Sequence, residues 1–234
     1  MEALTKYRQF SNSGIKKMIQ AILFDVDGTL YRQRAMRLRM LLALLKFTLT
    51  SPVQGMLTLH GLYRFRTIRE ALRFQVRENE LIEDLQYRLP AEKTGMAETK
   101  IREIVFEWIY RRSLDHIWKF EYDGMAEFLE RCKKKGFLVG AFSDYPAREK
   151  IAALGLDSYF DLYLCSTDKD INAFKPSPAG IRMACKKWNL PPESILYVGD
   201  RMDTDGVAAN KAGTRFYHFK NNINELESWI SKHT

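Results

Sequence analysis

The sequence is short of several features that would assign a class at once. It has three cysteines, Cys132, Cys165 and Cys185, an odd number with no C-x-x-C spacing. That argues against a disulfide framework and predicts buried free thiols, as suits a reducing cytoplasm. No apolar run approaches the roughly 18 residues of a membrane span. The first twenty residues carry Lys6, Arg8, Lys16 and Lys17 but no long apolar core, so no secretory signal is read there. His60, His116, His218 and His233 show no ligand spacing. No G-x-x-x-x-G-K-[ST] segment occurs, so a P-loop nucleotide site is not supported. Internal repeats and low-complexity tracts are absent too, and Trp108, Trp118, Trp188 and Trp229 read as packing residues.

One long stretch is almost free of acids. From Tyr31 to Arg77 there are ten Lys/Arg against a single Glu70, so this segment carries +9 while the chain as a whole carries +8. A basic segment beside a near-neutral remainder suits an anionic substrate or an anionic surface, the alternative being a solvated basic face. The length suits one domain with a large insertion or two modest ones, and 46% apolar residues allow a sizeable core.

Met1 to Gly14 is polar and reads as a lead-in, and Lys17 to Phe24 as a first strand. From Arg32 to Trp118 the pattern is helical almost throughout. Leu38, Leu41, Leu42, Leu45 and Leu49 form one stripe, with Met40, Leu44 and Phe47 off it, so this helix is apolar nearly all round and predicted to be buried or membrane-touching. Ser51-Pro52 interrupts it. A second helix is predicted from His60 to Arg77, with Arg66, Arg69, Arg73 and Arg77 in one arc and Leu62, Phe65, Ile68, Leu72 and Val76 in the next. The arginine arc reads as facing outward rather than into a cleft, since long arginine stripes are usually solvated. Leu89-Pro90 to Gly95 reads as a link between helices, and Ile101, Ile104, Val105, Trp108 and Ile109 mark a further amphipathic helix.

After about residue 119 helices and strands alternate. Asp123 is a candidate cap for a helix ending near Gly136. Strands are expected at 138–142, 161–165, 195–198 and 214–219, and helices at 146–155, 178–188, before Gly213 and at 224–231. Repeated βα units with apolar strands predict a parallel, doubly wound sheet, whose ligands sit at the carboxyl ends of the strands. Asp25 and Asp27 fall at such an end, with Gly28 allowing a sharp turn. Two carboxylates so close resist joint ionisation without a cation. The pair reads either as oxygen ligands for a hard divalent ion, Mg²⁺, or as a strand ending in an Asx-type turn.

Three further pieces follow in order: Ser143-Asp144 after the 138–142 strand, Lys175 in Phe174-Lys175-Pro176, and Gly199-Asp200-Arg201-Met202-Asp203-Thr204-Asp205 after the 195–198 strand. With Asp25-Val26-Asp27-Gly28-Thr29 this order resembles the haloacid dehalogenase-like (HAD) superfamily, over residues 19–31 and 120–220. The resemblance implies a Rossmann-like core at 19–31 and 119–234 after a lead-in at 1–18, and an all-helical C1 cap at 32–118. The gap between Asp144 and Lys175 is too short for a second cap.

The resemblance also implies roles. Asp25 would be the nucleophile and Asp27 the general acid and base. Mg²⁺ would take Asp25, the Asp27 carbonyl and Asp200. Ser143, the Asp144 N–H and Lys175 would bind phosphate, Ser143 being otherwise a strand-end cap and Lys175 a solvated loop lysine. Asp205 would orient Lys175 or a metal-bound water, and Asp203 reads as a helix N-cap. Thr29 would contact phosphate or serve the turn. Relatives that cleave carbon–halogen bonds generally lack the second aspartate, so phosphoryl chemistry on a small anionic phosphate ester is expected. A phosphomutase resembling β-phosphoglucomutase and a non-catalytic binding module on the same core are the alternatives. The basic, leucine-rich cap also fits an anionic lipid or membrane surface. Nucleic acid is not expected, there being no recognised binding motif.

Overall fold

The computed structural model describes residues 18–75 and 80–234. The expected lead-in, Lys17, Val76 and Arg77 lie outside the described residues. Five parallel strands form one sheet in the order β3-β2-β1-β4-β5: β1 Ala21–Phe24, β2 Leu138–Ser143, β3 Leu162–Cys165, β4 Ile195–Gly199 and β5 Arg215–His218. β1 is wholly buried because helices cover both faces, which is why its sequence is a plain apolar run rather than an alternating one. One face packs Phe24, Val139 and Val198 beneath α6 (Met125–Lys134), α7 (Arg148–Ala153) and α10 (Ile223–His233). The other packs Leu23, Phe142 and Tyr197 beneath α8 (Ala179–Trp188) and α9 (Val207–Ala212).

Between β1 and α6 lies an all-helical insertion: α1 Gln33–Thr50, α2 Pro52–Leu72, α3 Ile82–Thr94, α4 Glu98–Val105, a π-helical turn, α5 Arg112–Leu114 and a 3-10 turn. Its own small cores centre on Phe65, Ile101 and Val105, on Leu44, Leu62 and Trp108, and on Leu72 and Leu85. The neck is closed by an antiparallel bridge between Tyr31 and Glu121. Among the described residues no helix is long and apolar enough to cross a membrane.

Several expectations are corrected. The first strand begins at Ala21, not Lys17. α2 starts at Pro52, eight residues before His60, because proline suits a first helical turn, where its missing N–H costs nothing. Leu89 to Gly95 is not a link: Pro90 lies inside α3, which stops at Thr94 before Gly95 at φ 70°. Asp123 does not cap α6. Gly124 occupies that position at φ 82°, and Asp123 pairs with Arg32 at 3.1 Å instead. The leucine stripe of α1 faces outward, with Leu38, Leu41, Leu42, Leu45 and Leu49 all exposed, while Met36 and Leu44 are buried. Trp118 is exposed rather than packed, whereas Trp108 is buried. Cys132 and Cys165 are buried free thiols and Cys185 is half-buried.

Candidate active site

The parallel register aligns the strand ends. Phe24 lies opposite both Ala141 and Val198, so Asp25, Ser143 and Asp200 leave β1, β2 and β4 at one edge. This is where the strand order reverses, the usual ligand crevice of such a sheet. A cavity of about 50 Å³ there is walled by Asp25, Asp27, Ser143, Lys175, Asp200 and Asp205, with cap residues Gln33, Arg37 and Arg73. The sequence motifs, 180 residues apart at their extremes, thus converge on one small space.

Asp25 is buried. Lys175 Nζ donates to its Oδ1, and Thr29 Oγ1 donates to Oδ2 at 3.1 Å. Burial pushes the Asp25 carboxyl well up; Lys175 opposes this, while Asp205, Asp200 and Asp27 add to it. Lys175 Nζ also donates to Asp205 Oδ1 at 2.7 Å and to Tyr197 Oη at 3.1 Å. Burial alone would lower the Lys175 pKa, but Asp205 and Asp25 hold it well above its ordinary value, so it stays charged. Asp205 accepts in addition from the Arg201 N–H at 3.1 Å. Asp203 is not an N-cap. Arg201 precedes the turn that begins at Met202, and Asp203 pairs with the Arg201 guanidinium at 2.6 Å on the surface.

The carboxylates of Asp25, Asp200 and Asp205 have oxygens within 4.8 Å of one another. Three acids around one lysine leave an excess of negative charge in a largely buried place, and burial together with Asp205 raises the Asp200 pKa. Such an all-oxygen donor set with unbalanced charge fits a hard divalent cation. Gly28, at φ 108°, is needed for it: a Cβ there would stand 2.3 Å from Asp200 Oδ2.

Asp27 points away from this cluster. Lys150 Nζ, on α7, donates to both its oxygens at 2.6 and 2.8 Å, Tyr31 Oη donates to Oδ1, and Ser143 Oγ donates to Oδ2 at 3.3 Å. Burial raises the Asp27 pKa, but the Lys150 charge, the hydrogen bonds from Lys150 and Tyr31 and the Arg37 charge outweigh it and bring the net value below its ordinary one. The side chain is therefore held as a carboxylate. Sequence reading missed both Lys150 and Tyr31. Neither carries a signal of its own, Lys150 being the last of the charged run Arg148-Glu149-Lys150 in the helix after Ser143-Asp144.

Asp144 contributes through its side chain, beyond the backbone N–H expected of it. Oδ1 accepts from Ser166 Oγ at 2.6 Å and from the Lys175 N–H at 3.2 Å, and Oδ2 accepts from Arg73 Nη1 at 2.5 Å. Arg69, also from the end of α2, donates to the Asp144 carbonyl at 2.6 Å and is sandwiched by Tyr145 and Phe174, 4.0 and 4.2 Å from their ring centroids. The outward-facing arginine arc is thus corrected. Arg69 is buried and Arg73 half-buried on the strand tips, because Asp144 and the aromatic faces replace their water, and among the arc's described arginines only Arg66 is exposed.

Fold and site together define a parallel-sheet α/β protein with paired aspartates, a lysine and a cation-suited acidic cluster at the strand tips. A family model for haloacid dehalogenase-like hydrolases matches residues 19–213, and the chain belongs to that family. It is 29% identical over 147 residues to a phosphoglycolate phosphatase of Haemophilus influenzae (strain 86-028NP), covering 58% of this chain and 64% of the relative. It is 26% identical over 199 residues to a glyceraldehyde 3-phosphate phosphatase of Methanopyrus kandleri, covering 84% and 82%. For several curated relatives the match spans about half of their length. The solved structure of a 2-haloacid dehalogenase from Pseudomonas syringae pv. tomato DC3000 shares the fold at a TM-score of 0.65 and 21% identity, covering 93% of this chain and all of that one.

Proposed function

We propose that the chain is a Mg²⁺-dependent phosphatase acting on a small phosphate monoester through an aspartyl-phosphate on Asp25. The observation that carries this is the convergence of Asp25, Asp27, Ser143, Lys175 and Asp200 on one cavity. Phosphatases among its relatives support the same reading. Core residues 19–31 and 119–234 would do the chemistry under a cap of 32–118, after a lead-in of 1–18. Asp25 attacks phosphorus, and the alkoxide leaves with a proton from Asp27. Asp27 then takes a proton from the water that attacks the aspartyl-phosphate, releasing inorganic phosphate and restoring both carboxyls. Lys175 and the Ser143 hydroxyl stabilise the charge on the phosphoryl oxygens. Mg²⁺, held by Asp25, Asp200 and the Asp27 carbonyl, would neutralise the repulsion between nucleophile and phosphate. With Lys150 in place Asp27 is ionised, the form that activates water; donating a proton requires it to part from Lys150.

Free cysteines support a cytoplasmic setting. The outward leucines of α1, flanked by Arg34, Arg39 and Lys46, support contact with an anionic lipid surface. The test of the central reading is release of inorganic phosphate from p-nitrophenyl phosphate. The parent should turn over with Mg²⁺, stop in EDTA and recover on adding Mg²⁺ back, and Asp25→Asn should abolish turnover while keeping the parent's thermal unfolding. Isomerisation of a sugar phosphate without phosphate release would favour a mutase instead. Inactivity of a folded, Mg²⁺-loaded parent on a panel of esters would leave a binding module.

A further inference from the structure

The segment from Ile171 to Lys175 belongs to the core, between β3 and α8, yet it is fastened to the cap at three places. Asn172, at φ 43°, turns its amide toward the entry to α3: Oδ1 accepts from the Ile82 N–H at 2.7 Å, and Nδ2 donates to the Glu80 carbonyl at 3.0 Å. The Ile82 N–H is one of the first-turn donors that have no acceptor within their own helix, so Asn172 serves it from outside the cap. Phe174 is buried among Leu72, Ile82 and Leu85, and among the described residues it alone joins that cluster from the core. The third attachment is the main chain of Lys175 itself. Its carbonyl accepts from Arg73 Nη1 at 2.6 Å, and its N–H donates to Asp144 Oδ1 at 3.2 Å. Arg73 and Asp144 are paired, so cap, strand tip and lysine close a ring.

These contacts act on the end of Lys175 that the sheet leaves loose. Asp25, Asp205 and Tyr197 hold Nζ, which is only the tip of a flexible four-carbon stem. The reach of that tip depends on where the main chain is anchored. Turn hydrogen bonds tie Ile171 and Asn172 back to Asp168, and Ala173 to Ser166, so a displacement at Asn172 is passed on toward Lys175. Neither Asn172 nor Phe174 borders the catalytic cavity. Any effect they have on turnover is therefore indirect.

We infer that the cap sets the position of Lys175: Asn172, Phe174 and Arg73 are positioning residues, joining the 171–175 segment to the ends of α2 and α3 so that the ammonium meets both Asp25 and a bound phosphoryl group. This rests on the phosphatase reading and deepens it, because it gives the cap a part in the chemistry of an ester too small to touch it. Phe174 and Asn172 lie outside the acidic motifs, and their role comes from what they reach on another domain.

The experiment follows phosphate release from p-nitrophenyl phosphate with Mg²⁺, at a temperature well below the thermal unfolding of each variant. Asn172→Gly removes both hydrogen bonds while accepting the positive φ without strain. Its kcat should fall roughly 10- to 100-fold, the order of loss when a reacting group is misplaced by about 1 Å. KM should change less, because the loss is of transition-state stabilisation. Asn172→Asp still offers an oxygen to the Ile82 N–H and should recover most of kcat. Phe174→Leu keeps the apolar filling and reads the same loss at a second attachment if Asn172→Gly does not fold. A folded variant with kcat close to the parent's, a loss confined to KM, or no recovery in Asn172→Asp overturns the inference and leaves the phosphatase reading standing. Phosphate release equal in the parent and Asp25→Asn overturns the phosphatase reading, and the inference with it.

Discussion

Lys150 decides which form of Asp27 this arrangement holds. The ammonium and the carboxylate are both buried, and the pair is bidentate. Folded Asp27 has a lowered pKa despite burial; removing the ammonium takes away the largest influence opposing burial and leaves only the Tyr31 hydrogen bond and the Arg37 charge against it, so the pKa should rise. If Asp27 acts as the base that activates water, the acidic limb of its pH–rate profile should move to higher pH in Lys150→Met, by about 1–3 units, the usual worth of an adjacent opposite charge. The check is kcat against pH on a single ester, with Lys150→Arg expected to stay near the parent. A limb that stays in place while the melting temperature drops would make Lys150 a structural residue only. Nothing in the sequence marks Lys150 as special, since a lysine in a helix is ordinarily solvated. Its role depends on α7 packing across β2 toward the tip of β1, a long-range placement that local pattern does not encode.

At the scale of elements, the end of α2 is fastened to the tip of β2 by Arg69 and Arg73. The Arg73–Asp144 pair is largely buried on both sides, and Asp144 has a lowered pKa: burial raises it, but Lys175 and Arg73 more than compensate. Arg73→Ala should therefore cost about 3 kcal/mol, the low end for breaking a buried pair, because Ser166 and Lys175 still serve Asp144. The sign with pH follows from the lowered folded value. The stabilisation is complete above the unfolded carboxyl value of 3.8 and is lost as the pH falls below it through the folded pKa. Urea unfolding of parent and variant should accordingly differ most at neutral pH and converge in acid; a gap that persists unchanged below pH 3 would assign the loss to packing. The strands and their tips were legible because a sheet covered on both faces demands apolar runs, and Asp25, Ser143 and Asp200 terminate such runs. The facing of α2 was not. Helical periodicity groups Arg66, Arg69 and Arg73 on one arc but cannot say whether water or an aspartate on another element will meet them. The same ambiguity inverted α1, whose leucine stripe has the spacing of a core face and lies outside.

Taken as a whole molecule, the chain places its basic charge and its uncovered leucines on the same helices. Leu49 and Val53 flank the α1–α2 corner and are 83% and 73% exposed, with Met56 and Tyr63 further along α2. Between Gly28 and Arg69 there is no acid. A second copy meeting the same face would bring like charges together, whereas an anionic bilayer offers apolar depth for the leucines and opposite charge for Arg34, Arg39, Lys46 and Arg64. Flotation with phosphatidylserine-containing vesicles should carry the parent upward at low salt and fail at high salt, since surface attraction is screened within a Debye length. Neutral phosphatidylcholine vesicles should bind it much less. Leu42→Asp with Leu45→Asp, both exposed and away from Asp25, should abolish flotation while turnover of p-nitrophenyl phosphate, free in solution, stays within about twofold of the parent, as surface changes usually do. Concentration-dependent dimerisation that the same pair of substitutions removes, with no flotation in the parent, would instead assign this face to a second copy of the chain.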